Sequence, residues 1–307
     1  MPAPTSRPLL LDPKNDFVFK KLLADAPTLL AALINAVRHP RPAVTVVDIL
    51  NPVITPEELE GKFIVLDVLA EDQLGQRHDV EMQSRPFPAW GARSVYYLAR
   101  TLARQLDAGH EYTRLRPAIG IHLLDFALYD DEDSTQQAAW CFELRDGRRP
   151  TVRLGPELEL HLIELPKARR LRRLGYEPAL AGALGAWIDF FEHWNDEERM
   201  AGIDEPAVRQ ALVRLHDLSA DEEARRMAFV RMRALRDERA IRLGEREAGR
   251  AEGEIILLLR LLEQRFGPIP ATAIARLRRA TPEECAGVAD RMLRAASLVE
   301  ALGPVAT

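Results

Sequence analysis

Most of the features that commonly announce a function are scarce in this sequence. Only two cysteines occur in 307 residues, Cys141 and Cys285, and they are far apart and without metal-type spacing. That points to a reduced compartment and to buried or inert thiols. No apolar run approaches the roughly 20 residues that cross a membrane. The opening stretch MPAPTSRPLLLDPKND has neither the cationic nor the apolar region of a signal peptide. A cytoplasmic protein without a membrane partner is expected. Positive charge is not in excess either: 42 Lys and Arg face 47 Asp and Glu, a net charge of −5, whereas many nucleic-acid-binding domains are strongly basic. There is no internal repeat and no phosphate-cradling glycine loop. Hydrophobic residues make up 47%, an ordinary globular content. The length allows a full core and one further small domain.

What is present centres on Phe63–Gln83, FIVLDVLAEDQLGQRHDVEMQ. Two apolar, β-branched runs, Phe63–Ala70 and Asp79–Gln83, flank a polar segment with Gly75 near its middle, the pattern of a β-hairpin. A turn centred on Leu74–Gly75 sets Asp67 opposite Glu81 and Val65 opposite Gln83. Alternation then points Val65, Asp67, Glu81 and Gln83 to one side. Two carboxylates facing each other among Ile, Val, Leu and Met repel and desolvate poorly unless a cation sits between them. This is the layout of a hard-metal site, because Mg²⁺ takes one or two protein carboxylates and completes its shell with water and phosphate. A hairpin with acids on a solvated face is the plainer reading of the same residues.

The flanks supply further polar candidates. Residues 12–16 (DPKND) read as a turn and N-cap, followed by helical apolar spacing from Phe17 to Val37 with a break at Pro27. Val44–Pro52 reads as the first strand, with Asp48 and Asn51 near its end as edge polarity. Lys62 opens the hairpin and could supply part of the positive charge that Gln83 lacks. A helix is expected over Gly91–Ala108, with Arg93, Tyr97, Arg100 and Arg104 along one face. Arg93 suits bidentate phosphate clamping as well as an ordinary ion pair. Pro117–Leu124 reads as a strand buried on both faces, with His122 as a core histidine, and Trp140–Arg145 and Leu158–Leu165 as two more strands. Leu180, Leu184, Trp187, Ile188, Phe191 and Trp194 then form a helical apolar face. Residues 225–250 hold nine Arg against four acids, and KARRLRR (167–173) holds five cations. Such runs are solvated helix faces or phosphate contacts. Glycines 244, 249 and 253 predict a semi-helical linker. In the tail, Thr281-Pro282-Glu283-Glu284 opens a helix with a cap, Pro at the first position and acids in the first turn.

The order Asp, hairpin turn, Glu-Met-Gln resembles the PD-(D/E)XK nuclease superfamily, whose motif is an acid followed by acid-x-Lys on the next strand. It is most similar to the recombination-promoting nuclease and transposase-like family, in which acid-x-Gln replaces acid-x-Lys. The upstream Asp16-x-x-Phe19-Lys20 and the downstream Arg93, Tyr97, Gln105, Gly109 and Tyr112 carry the same likeness. It covers roughly residues 10–165. Residues 255–302 are more loosely similar to a small helical domain of unknown function that often follows such cores.

The resemblance implies an α+β fold, a mixed sheet flanked by helices, with an all-α C-terminal extension. It divides the chain into a nuclease core at 1–166, a helical extension at 167–224, an Arg-rich helix and linker at 225–254 and a small helical domain at 255–307. It implies hydrolysis of double-stranded DNA in recombination or mobile-element movement. Asp67 and Glu81 would hold Mg²⁺, or Mn²⁺ in its place, with the Met82 carbonyl a further ligand and Asp16 an auxiliary one. Gln83 would orient the attacking water without being able to take its proton. Lys62, Arg93 and Tyr97 complete the candidates. A non-catalytic DNA-binding or scaffold protein on a degenerate nuclease fold stays open, as does self-association through the C-terminal helices.

Overall fold

The structure, a computed structural model, describes residues 10–51, 67–86, 89–107, 109–131, 134–175 and 180–303. Asn15, the residue before Asp16, is the first helix cap. Its side-chain oxygen accepts from the N–H groups of Phe17 (3.1 Å) and Val18 (3.3 Å) and starts α1, Asp16–Ala24. Pro27 opens α2, Pro27–Arg38, in the first turn where its missing N–H removes no helical bond.

Strands β1 (Val46–Ile49), β2 (Val68–Asp72), β3 (Arg77–Gln83), β4 (Ala118–Leu124), β5 (Ala139–Glu143) and β6 (Leu158–Glu164) form one sheet in the order β1-β2-β3-β4-β6-β5. β1, β2 and β3 run antiparallel, β3, β4 and β6 parallel, and β5 returns antiparallel on the edge. β4, parallel to both neighbours, is buried at all of its positions, as its unbroken apolar run requires. Gly75 adopts φ +75°, and the Asp72 side chain accepts from Leu74 N–H (2.8 Å) and Gln76 N–H (3.0 Å), so the β2–β3 turn closes on a glycine and an aspartate.

One sheet face, built by Val68, Ala70, Val80, Met82, Ile119, Ile121 and Ile163, packs under α1 and α2. The same core takes in Trp187, Ile188, Phe190 and Phe191 of α5 (Gly182–His193) and Val208, Ala211 and Leu215 of α7 (Pro206–Ala220). These helices follow α4 (Leu165–Leu174), and α6 (Glu197–Ala201) lies between them. The opposite face carries Ala118, Leu124, Leu160 and Leu162 against Trp90 and Leu98 of α3, Trp90–Ala103. The core therefore does not close at Pro166 as the division of the chain anticipates. Phe19 packs against Phe191 with tilted rings and centroids 5.9 Å apart, so the helical extension fills the same hydrophobic interior as the sheet. Residues 1–234 form one compact unit.

Residues 235–307 form a second. The expected linker is also replaced by helix: α8 runs without interruption over Glu222–Phe266 through all three glycines. Each glycine weakens the helix by about 1 kcal/mol relative to alanine, and i,i+4 pairs such as Arg242–Glu238 (2.6 Å) and Arg250–Glu254 (2.9 Å) offset part of that. α9 (Ala271–Leu277), α10 (Pro282–Met292) and α11 (Leu298–Leu302) close a small core of Leu258, Leu262, Leu277, Val288 and Met292. The Thr281–Glu284 capping box forms at the start of α10. Among the described residues no helix is long and apolar enough to cross a membrane.

At the β5–β6 edge an ion network ties α2 to the sheet. Glu159 accepts from His161 Nε2 (2.6 Å) and pairs with Arg38 (3.3 Å), Arg41 (3.1 Å) and Arg153 (3.2 Å). Burial alone would raise the Glu159 carboxyl, but the bond and charge of His161, then Arg38 and Arg41, pull it down to about 2 from an ordinary 4.5. A carboxyl depressed on folding stabilises the folded state above its unfolded value and loses that contribution as pH falls through its folded value. Thermal stability is therefore expected to fall between pH 4.5 and about 2. In Glu159→Gln this part of the Tm–pH curve should flatten; an unchanged slope in the variant would remove Glu159 from the account.

Candidate active site

The site is built on the open end of the β2–β3 hairpin. Val68 pairs with Val80 and Leu69 with Asp79, and one further step along this register sets Asp67 opposite Glu81. The strand period of two then puts Asp67, Asp79, Glu81 and Gln83 on one face. Asp67 is fixed from the side of β1: Asn51 donates to its Oδ1 (3.2 Å) and its carbonyl (3.3 Å) and accepts from Leu69 N–H (2.7 Å). Glu81 is fixed from its own strand, where Gln83 Nε2 donates to Glu81 Oε2 at 2.5 Å.

The acids are electrostatically uncomfortable. Burial and then the charge of Glu81 raise the Asp67 carboxyl, against opposing pulls from its backbone and from Lys20. Asp79 is raised well above the usual carboxylate range by burial, then by the charges of Glu81 and Asp67, and its Oδ1 is buried without a hydrogen-bond partner among the described residues. Three carboxyl groups thus converge where two are legible in the motif. Asp79 belongs with Glu81 and Gln83 by the alternation of β3 itself, a signal carried by the sequence. The floor beside them is β4. His122 lies next to Glu81 in the ladder, buried, with no hydrogen-bond partner for Nδ1 among the described residues and its ring edge-on to Trp90 at 5.4 Å. Burial lowers its pKa, opposed by Glu81, so it is a neutral wall. Gly120, the neighbour of Asp79, keeps this floor low: a Cβ there would meet Leu160 Cδ1 at 2.7 Å.

Lys20 closes the Asp16-x-x-Phe19-Lys20 stretch. It sits on α1, which packs against β2 and β3, and it is completely buried. Among the described residues its Nζ has no hydrogen-bond partner, and its charge is felt at Asp67. The helical run Asp16–Ala24 contains it, but only tertiary packing says which way it faces.

Other candidates are placed differently. Asp16 is held by a buried arginine. Arg231 of α8 grips it through Nε to Oδ1 (2.9 Å) and Oδ2 (3.0 Å) and through Nη2 to Oδ2 (2.6 Å). Its Oδ1 also accepts from Phe17 N–H (2.9 Å). The expectation of Asp16 as an auxiliary ligand meets a carboxylate already committed to a buried guanidinium. Met82 turns its side chain into the core. Arg93 lies over the Tyr97 ring at 5.2 Å on α3, one turn apart. Lys62 falls outside the described residues.

The chain thus presents a mixed sheet flanked by helices, with an acid before β2 and acid-x-acid-x-Gln along β3. The chain belongs to the PD-(D/E)XK nuclease family transposases, whose family description matches residues 13–242. That span runs past the sheet to include α5, α7 and Arg231, in keeping with a core that continues beyond residue 166. No curated protein and no solved structure is significantly similar to the chain.

Proposed function

We propose that the chain is a divalent-metal-dependent endonuclease that hydrolyses phosphodiester bonds of double-stranded DNA, in recombination or mobile-element movement. The observation that carries this reading is the convergence of Asp67, Asp79 and Glu81 on one face of the sheet, where the charge of Glu81 raises Asp67 and the charges of Glu81 and Asp67 raise Asp79. Such a donor set fits a hard cation: all oxygen and partly desolvated. Asp67 and Glu81 would hold Mg²⁺, or Mn²⁺ in its place, with the Met82 carbonyl as a further ligand. Bound there, the cation would polarise a phosphoryl oxygen and acidify water.

The residues of the chain supply the rest. Gln83 holds Glu81 in place and offers its amide to orient a water. Asn51 fixes Asp67, and Asp79 is a reserve carboxyl beside the pair. Arg93 on α3 suits a bridging phosphate oxygen. In the reaction the water oxygen bonds to phosphorus, one phosphorus–oxygen ester bond breaks, and the proton released by the water balances the one taken up by the leaving oxygen. Gln83 cannot take a proton, and this favours a rival reading, a DNA-binding protein without turnover.

Relaxation of supercoiled plasmid in Mg²⁺, Mn²⁺, Ca²⁺ or EDTA separates the two. Nicking in Mg²⁺ or Mn²⁺ that EDTA abolishes is expected. DNA binding without nicking in every metal would select the rival, and nicking that persists in EDTA would sink the metal-dependent reading.

A further inference from the structure

We propose that Cys141, Glu159 and His161 form a metal site apart from the hairpin acids, one that takes Zn²⁺ or a divalent cation of similar affinity for sulfur. The proposal is independent of the nuclease reading. The sheet edge builds the site. β5 and β6 run antiparallel with Cys141 opposite His161, and the strand period of two puts Glu159 on the same face as His161. His161 also stands beside Ile121 of β4, whose face packs under α1 and α2. The cluster therefore lies on the opposite side of the sheet from Glu81, the neighbour of His122. Spacing along the chain hides it, because Cys141 and His161 are 20 positions apart. One ligand atom from each of the three residues lies within 4.8 Å of the other two. Cys141 Sγ is 4.0 Å from His161 Nε2, which is 2.6 Å from Glu159 Oε1. Tetrahedral Zn²⁺ needs such donors about 3.3–3.6 Å apart, so small side-chain shifts admit it.

The donor set selects the ion. A thiolate, an imidazole and one carboxylate suit Zn²⁺ or Co²⁺, whereas oxygen donors alone suit Mg²⁺. An entry path exists: Cys141 is exposed, and with His161 it lines a cleft of about 1130 Å³. Arg41 (3.1 Å) and Arg153 (3.2 Å) hold Oε2 of Glu159, the kind of outer hydrogen bonding that fixes a ligating carboxylate. Their own charge is shared with Glu143, at 2.5 Å from Arg41 and 3.0 Å from Arg153. Arg38, at 3.3 Å from Oε1, is the guanidinium that the ion displaces. Binding expels the thiol proton, so the pocket gains one unit of charge rather than two. The ion staples edge strand β5 to β6 and leaves its fourth position to water.

The test titrates the full chain, carrying Asp67→Asn and Glu81→Gln to remove the hairpin acids as competing ligands, with Co²⁺ and then with Zn²⁺. It reads thiolate-to-Co²⁺ charge-transfer absorption and Tm. Cys285, buried in the C-terminal unit, is the control thiol. One equivalent of Co²⁺ is expected to give the thiolate band, Zn²⁺ to displace it, and saturating Zn²⁺ to raise Tm. Cys141→Ser should abolish both the band and the Zn²⁺-dependent rise in Tm, while its Tm without metal holds because the residue is exposed. Cys285→Ser should keep both. His161→Gln and Glu159→Gln should each weaken Co²⁺ binding by about tenfold or more, since even outer partners of a metal ligand are worth about 10–100-fold. No band at stoichiometric Co²⁺, or a band lost in Cys285→Ser and kept in Cys141→Ser, would overturn the proposal. Unchanged affinity in either His161→Gln or Glu159→Gln would overturn it too, by reducing the site to a thiol that binds metal without its neighbours.

Discussion

Asp67→Ala and Glu81→Ala are each expected to cut metal-dependent nicking by about 10³-fold or more, with the fold intact. A cation that polarises the phosphoryl group contributes several kcal/mol of transition-state stabilisation, and ~4 kcal/mol corresponds to about three decades of rate. Either acid lost leaves a one-carboxylate site. The folded state should tolerate the change because the acids oppose one another: Glu81 raises Asp67, and both raise Asp79. Removing one therefore relieves repulsion. Asn51 keeps its bonds to the backbone carbonyl of residue 67 and to Leu69 N–H in the alanine variant. The measurements are plasmid nicking, Mn²⁺ titration and thermal denaturation on the same preparations. A variant that unfolds would say nothing about catalysis, so Asp67→Asn and Glu81→Gln serve as isosteric checks. Nicking at the unaltered rate in all four variants would dismiss this pair as the metal site.

The largest expected effect on stability lies at Arg231. Its guanidinium is 1% exposed and makes three bonds to Asp16. Removing one partner of a buried ion pair strands the other, at a cost of about 3–5 kcal/mol. Arg231→Met should therefore lower the unfolding free energy by that amount, measured by denaturant titration. Replacing both partners, Asp16→Leu with Arg231→Met, should recover most of the loss, because no charge is then left buried alone. The same pair of variants decides the role of Asp16. If it serves only to anchor Arg231, the double variant nicks at the unaltered rate. A folded but inactive double variant would return Asp16 to the metal site as the resemblance implies.

The helices and strands were largely legible because burial imposes its own period. The apolar run Ala118–Leu124 reads as a doubly buried parallel strand and is one, and the spacing of Leu184, Trp187, Ile188 and Phe191 reads as a helix face and forms one. Thr281 to Glu284 spells its own cap. The linker that glycines 244, 249 and 253 predict gives way to helix for a physical reason: a local penalty of about 1 kcal/mol per glycine does not break a helix that is long and carries i,i+4 charge pairs.

By itself the sequence determined the hairpin register, and with it the facing of Asp67 and Glu81, because a tight turn fixes pairing and a strand alternates with a period of two. It also determined the order of sheet and helices. Only the tertiary structure decided what surrounds those acids. It paired Asp16 with Arg231, 215 positions along the chain, brought Asn51 and His122 to the acids, and buried Lys20 with no hydrogen-bond partner for its Nζ among the described residues. Local spacing records which residues share a face, whereas the partner of a buried charge is chosen by long-range packing, which no short stretch of sequence encodes.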